Sequence, residues 1–187
     1  TAIGYIALQN NTTGAANTAS GSHALNANST GAYNTASGVY ALKSNTTASN
    51  NTATGYKTLC LNTTGTANTA SGYHALSKNT TGIRNTASGY YALYSNTTPH
   101  SNTAVGYNAG DSVSTGTNLT ILGYDADASA VDATNEFAGV ITSSPLLTPK
   151  ACKAKERASV QLFSETACFI FKYFEKLEIY LVLHLKM

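Results

Sequence analysis

The sequence predicts an all-β protein in which short coils stack along one axis as a parallel β-solenoid. Glycine recurs every 17 residues without a slip, other residue types keep the same step, and the unit is rich in Asn, Thr, Ser and Gly. Such a strict period indicates identical structural units that stack on one another. We call a set of positions 17 residues apart a column. The glycine column is Gly4, Gly21, Gly38, Gly55, Gly72, Gly89, Gly106 and Gly123, and the threonine column is Thr1, Thr18, Thr35, Thr52, Thr69, Thr86, Thr103 and Thr120.

The repeating unit reads NTASGYxALxxNTTGxx, with clear copies at 17–33, 34–50, 68–84 and 85–101. The pattern fades near Asn135, so we place an array of about eight coils at residues 1–136. Helical repeats need about 33 residues or more, and Asn, Thr, Ser and Gly are poor helix formers. Each unit is therefore expected to form one coil with two or three short strands, stacked about 4.8 Å from the next coil.

Each unit carries two turn signals, the column glycine and the NTTG segment. We expect positive φ at the NTTG glycines, and Ala48 and Pro99 replace them in two copies. We interpret the Asn of NTT as a turn residue whose side chain bonds its own backbone. The alternative is a stripe of N-linked glycans. The Asn-X-Thr/Ser sequences lie at Asn10, Asn11, Asn28, Asn45, Asn50, Asn62, Asn79, Asn96 and Asn118.

The predicted interior is thin. It contains one leucine and two alanines per coil, from columns that include Leu25, Ala24 and Ala19. This is little apolar area to offset the ordering of a whole coil. We therefore expect a homo-oligomer, with a trimer as first choice. The tyrosine column either supplies the contact between copies or forms an exposed ladder. It contains Tyr5, Tyr56, Tyr73, Tyr90, Tyr107 and Tyr124.

The C-terminal part has a different character. We assign 137–150 as a linker and 151–187 as a tail of uncertain fold, either small and mixed α/β or poorly ordered. Residues 177–187 alternate apolar and polar side chains, which predicts a strand. Cys152 and Cys168 either pair or remain two free thiols. Because the chain starts at Thr1 in mid-repeat, we expect a mature fragment or an incomplete reading frame; a shifted frame or a graft would explain the tail.

The charge distribution argues against two classes of partner. No acidic residue precedes Asp111, and the formal net charge of the chain is +2. This excess is too small to predict nucleic-acid binding. The apolar stretch at 167–185 carries four charged residues, which argues against a membrane span.

The sequence offers little support for catalysis or metal binding, and we predict no enzyme activity. His23 and His74 share a column but lie three coils apart, roughly 14 Å at the usual strand spacing, too far for one metal ion. Among the metal ions, calcium has the most specific sequence pattern in this chain. Asp125, Asp127, Ser129 and Glu136 occupy positions 1, 3, 5 and 12 of a calcium-loop pattern, but position 6 is Ala130 where glycine is needed.

The units NTASGYHAL and NTASGYYALYSNTTPHSNTAVGYNAG resemble the repeats of bacteriophage tail-fibre proteins and related bacterial surface proteins. They are similar, more distantly, to the head repeats of trimeric autotransporter adhesins. The resemblance covers residues 1 to about 136. It implies a left-handed, trimeric β-roll that forms part of a fibre at an extracellular or virion surface. The last 45 residues depart from it.

These observations predict a structural and adhesive fibre segment. Its exposed Tyr, Asn and Lys columns would offer many equal contacts to a host glycan or an envelope protein. The alternatives are an ice- or mineral-binding surface, because flat threonine arrays order water, and a passive spacer. Ice binding favours a Thr-x-Thr pattern, whereas the adjacent pair Thr12 and Thr13 points to opposite sides or lies in a turn.

Overall fold

The computed structural model describes residues 1–139, which form nine short strands in one parallel sheet. The strands follow one another in chain order, and each pairs with the strand one repeat further on, so that Thr18 lies opposite Thr35 and Ala19 opposite Ala36. This confirms the predicted β-solenoid of about eight 17-residue coils; the left hand of the coil stays a prediction. The strands are β1 (Ala2–Ile3), β2 (Thr18–Ser20), β3 (Thr35–Ser37), β4 (Thr52–Thr54), β5 (Thr69–Ser71), β6 (Thr86–Ser88), β7 (Thr103–Val105), β8 (Thr120–Leu122) and β9 (Phe137–Gly139).

The stacking continues just beyond the boundary at residue 136 that the fading repeat predicts. Strand β9 pairs in register with β8, with Phe137 opposite Thr120. Residues 140–187 lie outside the described residues. They include the rest of the assigned linker, the tail at 151–187, the predicted strand at 177–187 and both Cys152 and Cys168.

Each described coil contains one strand of at most three residues, not the two or three strands that the sequence suggested. Left-handed residues interrupt the strand geometry at three places in a coil; in one coil these are Tyr40 (φ 62°), Leu42 (φ 50°) and Asn50 (φ 61°). Hydrogen bonds between coils nevertheless continue around the corners. The amide of Tyr40 donates to the carbonyl of Ser22 (2.9 Å), and that of Leu42 to Thr58 (3.0 Å). The backbone is therefore paired in turns as well as in strands.

The two glycine classes have different physical roles. The column glycines adopt φ between 123° and 142°, a region that side chains rarely enter, and a β-carbon on Gly21 would lie 2.5 Å from the carbonyl oxygen of Gly38. The NTTG glycines do not adopt positive φ, so that expectation was wrong. Their backbone suits any residue, and proline with its fixed φ of about −65° fits at Pro99. A β-carbon at Gly65 would nevertheless crowd the carbonyl oxygen of Gly82 and the side-chain oxygen of Asn62 (2.5 Å), so a larger residue in this column requires the neighbouring coil to shift.

The interior contains the predicted apolar columns. In β2 to β6 the central alanine is buried and its two neighbours are exposed, and the leucines from Leu25 to Leu93 are fully buried. Two asparagine columns are buried as well, so the expectation of exposed asparagine columns was wrong for these positions. They are Asn17, Asn34, Asn51, Asn68, Asn85 and Asn102, and Asn28, Asn45, Asn62, Asn79 and Asn96. Each coil thus has a mixed interior, and the premise of a purely Leu and Ala core was wrong.

The buried asparagines pair with one another from coil to coil. Asn45 Nδ2 donates to Asn28 Oδ1 (2.8 Å) and to the carbonyl of Ala48 (3.0 Å). Asn34 Oδ1 accepts from the Asn51 amide (3.0 Å). The predicted bond from the NTT asparagine to its own turn is therefore confirmed. Five of the possible glycosylation sites, at Asn28, Asn45, Asn62, Asn79 and Asn96, are fully buried in the folded chain.

The asparagine pairing ends in the later coils, where the sequence departs from the repeat. Val113 and Leu119 replace asparagine in the two columns, and both are buried. Asn96, which precedes Val113 in its column, has no hydrogen-bond partner for either side-chain atom, and Asn79 Oδ1 is also unpaired. In the same coils Gly110 stands in the leucine column. A β-carbon there would lie 2.9 Å from Ile121 Cδ1, so the larger Ile121 fills the space that a leucine would occupy.

Candidate functional surfaces

The outer side of the sheet is a regular array of hydroxyl groups. Ala is buried at the centre of strands β2 to β6, and the residues on each side of it point outward. Hydroxyls lie about 4.8 Å apart along a column and roughly 7 Å apart along a strand. We call this array the hydroxyl face. It consists of Thr18, Ser20, Thr35, Ser37, Thr52, Thr54, Thr69, Ser71, Thr86 and Ser88.

The sequence identified only one of the two columns in the hydroxyl face. The threonine column was recognised, whereas the pair tested for ice binding was Thr12 and Thr13. Those two residues lie in a bend, and Thr12 Oγ1 donates to the carbonyl of Ser29 (2.9 Å). The relevant pattern is Thr-Ala-Ser, which alternation along a strand would have revealed.

A second surface is built from stacked tyrosines. Ring centroids are 5.2 Å apart between Tyr56 and Tyr73, 4.9 Å between Tyr73 and Tyr90, and 5.1 Å between Tyr90 and Tyr107. Tyr124 continues the row at 5.1 Å, and no interplanar angle exceeds 18°. The column therefore forms an exposed ladder within one chain, one of the two predicted alternatives. A contact between copies stays a prediction.

The ladder widens into a larger group of rings that we call the aromatic strip. His74 lies 4.6 Å from Tyr73 and 5.3 Å from Tyr91, and Tyr94 lies 4.8 Å from Tyr91. The strip extends from coil to coil along the described solenoid. Its members are Tyr5, His23, Tyr40, Tyr56, Tyr73, His74, Tyr90, Tyr91, Tyr94, Tyr107 and Tyr124.

Stacking determines which part of each tyrosine meets solvent. Tyr73 and Tyr90 remain about two-fifths exposed, at 40% and 41%. Both faces of these rings are covered by neighbouring rings, because the ladder spacing is that of direct aromatic contact. Their edges and hydroxyl groups are the exposed parts. A planar ligand therefore has no open ring face inside the ladder.

Three lysines lie against the aromatic strip. Lys43 Nζ is 5.2 Å from the ring centroid of Tyr40, Lys57 Nζ is 5.3 Å from Tyr56, and Lys78 Nζ is 4.5 Å from Tyr94. These distances are typical of cation–π contacts. A hydrogen bond with the neighbouring phenol of Tyr56 raises the pKa of Lys57 further above neutral pH. The sequence analysis expects exposed lysine columns, but these three lysines occupy different columns, and the fold brings them to one strip.

Of the four calcium candidates, Ser129 and Glu136 contact each other, whereas Asp125 and Asp127 bond to other residues. Ser129 donates from its backbone amide and hydroxyl to the two carboxylate oxygens of Glu136 (2.8 and 2.7 Å). Asp125 Oδ1 accepts from Asn108 Nδ2 (2.9 Å), and Asp127 accepts from Ser112 and the Ala128 amide. Burial, followed by the charges of Asp127 and Asp125, raises the pKa of Asp111. Within residues 1–139, no group of three His, Cys, Asp or Glu side chains is placed to bind a metal ion.

Two further features bear on the search for a site. Cys60 is buried and free, and burial raises the pKa of its thiol, which reduces its reactivity. Residues 1–139 include no helical segment with the length and apolarity that crossing a bilayer requires.

No protein-family model matches this chain, and comparison with curated proteins and with solved structures gave no significant match. The resemblance to fibre and adhesin repeats therefore stays a prediction from the sequence, and the surfaces themselves carry the functional argument.

Proposed function

We propose that this chain is a structural and adhesive segment of a fibre that presents repeated surfaces for attachment at an extracellular or virion surface. One observation carries the proposal: the hydroxyl face and the tyrosine ladder each place the same kind of side chain once per coil over five consecutive coils. Five coils extend roughly 20 Å along the stacking axis at the usual strand spacing. A row of equal contacts over this length favours multivalent attachment to a repetitive partner.

The buried asparagines weaken one argument for a trimer, namely that a thin core needs a second buried face. They do not affect the argument for adhesion. The expected need for a second buried face came from a thin Leu and Ala interior. The buried asparagine ladders add paired polar groups to that interior, so a single chain has more internal contacts than assumed. The trimer is retained as part of the proposal on the resemblance alone.

Binding of the purified chain to surfaces tests this proposal. We expect it to bind at least one member of a panel of immobilised polysaccharides and whole bacterial cells, with affinity that rises with the length of the polysaccharide. A chain that binds no polysaccharide and no cell surface would be a passive spacer, and the adhesive part of the proposal would be wrong. Light scattering on the same sample gives the number of copies.

A second candidate function, binding to ice or a mineral surface, is favoured by the hydroxyl face. Its ten hydroxyl side chains point outward from a parallel sheet in two columns, and the two spacings are comparable with the repeats of the ice lattice. Thermal hysteresis measures this activity. Thr52→Tyr, at the centre of the face, should abolish it, whereas Thr47→Tyr in an exposed turn should leave it unchanged. A protein without thermal hysteresis excludes the ice-binding candidate.

A further inference from the structure

We propose that the aromatic strip, together with Lys43, Lys57 and Lys78, binds an extended acidic polysaccharide whose chain runs along the solenoid axis. This inference rests on the proposed adhesive function and names the ligand class and the surface. Three features of the strip support it: the sign and placement of the charges, the accessible parts of the tyrosines, and the spacing of the coils.

The charged side chains at the central coils of the strip are all positive. Residues 1–110 contain no Asp or Glu, and their only fixed charges are Lys43, Lys57, Lys78 and Arg84. Three of these four cations lie against rings of the strip. They occupy three consecutive coils and have no carboxylate in their own part of the chain. The surface is therefore complementary to a ligand that carries negative charges at intervals.

The tyrosines determine what kind of anionic chain fits. Within the ladder, stacking at 4.9 to 5.2 Å leaves no room for a nucleic-acid base to insert between rings. It also covers the faces of Tyr73, Tyr90 and Tyr107, on which bases and neutral sugars would otherwise stack. The exposed hydroxyl groups both donate and accept hydrogen bonds. A row of such groups beside ammonium groups suits a partner that has hydroxyls and carboxylate or sulfate groups on the same chain.

The spacing of the tyrosines along the ladder agrees with an extended acidic polysaccharide as the partner. The ladder presents one phenol every 4.9 to 5.2 Å, which is comparable with the advance of one pyranose ring along an extended polysaccharide. Successive sugars would therefore meet equivalent positions on successive coils. The acidic residues Asp111 and Asp125 lie in the coils toward Tyr107 and Tyr124, so the ligand should favour the coils that carry the lysines.

Binding of the full chain to defined polymers tests the proposal. The probes are polygalacturonate as a carboxylated polysaccharide, dextran sulfate as a sulfated one, dextran as a neutral one, and polyglutamate and single-stranded DNA as other polyanions. We expect binding to one or both acidic polysaccharides, weakened by added salt. Polygalacturonate and dextran sulfate distinguish a carboxylated from a sulfated source. Equal binding to polyglutamate or DNA would overturn the proposal, because it would indicate a general polyanion surface.

Matched variants locate the surface. Lys57→Gln should weaken binding of the acidic polysaccharide by about tenfold if one charge-assisted contact is lost, whereas Arg84→Gln, which removes the same charge away from the strip, should have little effect. Tyr73→Phe keeps the stacking and removes one hydroxyl, and should also weaken binding. Circular dichroism checks that each variant is folded. Equal effects of Lys57→Gln and Arg84→Gln would overturn the assignment to the strip.

Two outcomes separate this inference from the proposed function. Binding to neutral dextran or to cells that is unaffected by Lys57→Gln would leave adhesion intact and overturn the acidic ligand. The absence of binding to every polysaccharide and cell would overturn both. Light scattering on the same variants tests a second copy as the occupant of the strip. A change in mass on Lys57→Gln or Tyr73→Phe would assign the strip to contact between copies and contradict the proposal.

Discussion

At the scale of the residue, the buried asparagines fix one coil to the next. Asn62 is a complete member of its ladder: Nδ2 donates to Asn45 Oδ1 (3.0 Å) and to the carbonyl of Gly65 (2.9 Å), and Oδ1 accepts from Asn79 (2.8 Å). Buried amides are costly unless they are paired. An in-register stack solves this problem, because the same amide recurs at the same place in every coil.

Substitution of two asparagines in one column tests this account. Asn62→Val should destabilise the fold by roughly 3 kcal/mol, because it removes three buried hydrogen bonds and leaves Asn45 Oδ1 without a partner. Asn96→Val should stabilise the fold by about 1 kcal/mol, since neither Asn96 amide atom has a partner. Urea denaturation followed by circular dichroism measures the difference. Equal losses for the two variants would contradict the account.

At the scale of the element, the unit is a coil that contains one short strand and several left-handed corners. The strand supplies the hydroxyl face, and the corner after the column glycine carries the rings of the aromatic strip. His74 lies in that corner among Tyr73, Tyr91 and Tyr94. Burial, followed by the charge of Lys57, lowers the pKa of His74 below its usual 6.5.

This pKa shift gives a prediction for the stability of the strip at acid pH. Between the lowered folded pKa and the unfolded value of 6.5, the unfolded chain binds more protons, so the contribution of His74 to stability falls as the pH decreases through this range. His74→Tyr, which copies Tyr40 and Tyr91 in the same column, should lose less stability than the wild type between pH 7 and about pH 5. Thermal melting across this pH range measures the difference. Equal losses of stability in the wild type and in His74→Tyr would show that His74 does not contribute.

At the scale of the whole molecule, the described part of the chain is a stack in which each coil contacts its neighbours along the axis. The stability of such an array is approximately the sum of its coils and their interfaces. One coil should therefore be removable without loss of the fold, provided that the remaining columns stay in register.

Deletion of residues 51–67 joins Asn50 to Asn68 and removes one repeat. We expect the shortened chain to keep its β-rich circular dichroism spectrum with a lower melting temperature. Deletion of residues 51–66 removes one residue fewer and shifts every later column by one position. This shift should place polar side chains in the core and prevent cooperative folding across the junction. Similar melting of the two deletion variants would contradict the coil assignment.

The sequence alone determined the period, the parallel register and the alanine and leucine interior. It could do so because each repeat makes one coil, and a column in the sequence then becomes a ladder in space. It also gave the tyrosine ladder as one of two alternatives. The tertiary structure decided that the asparagines face inward, that the NTTG glycines have ordinary φ, that serine completes the hydroxyl face and that three lysines meet the rings. The physical reason is that left-handed corners interrupt the simple alternation of side chains, so the direction of a corner side chain depends on backbone dihedral angles that a period does not specify.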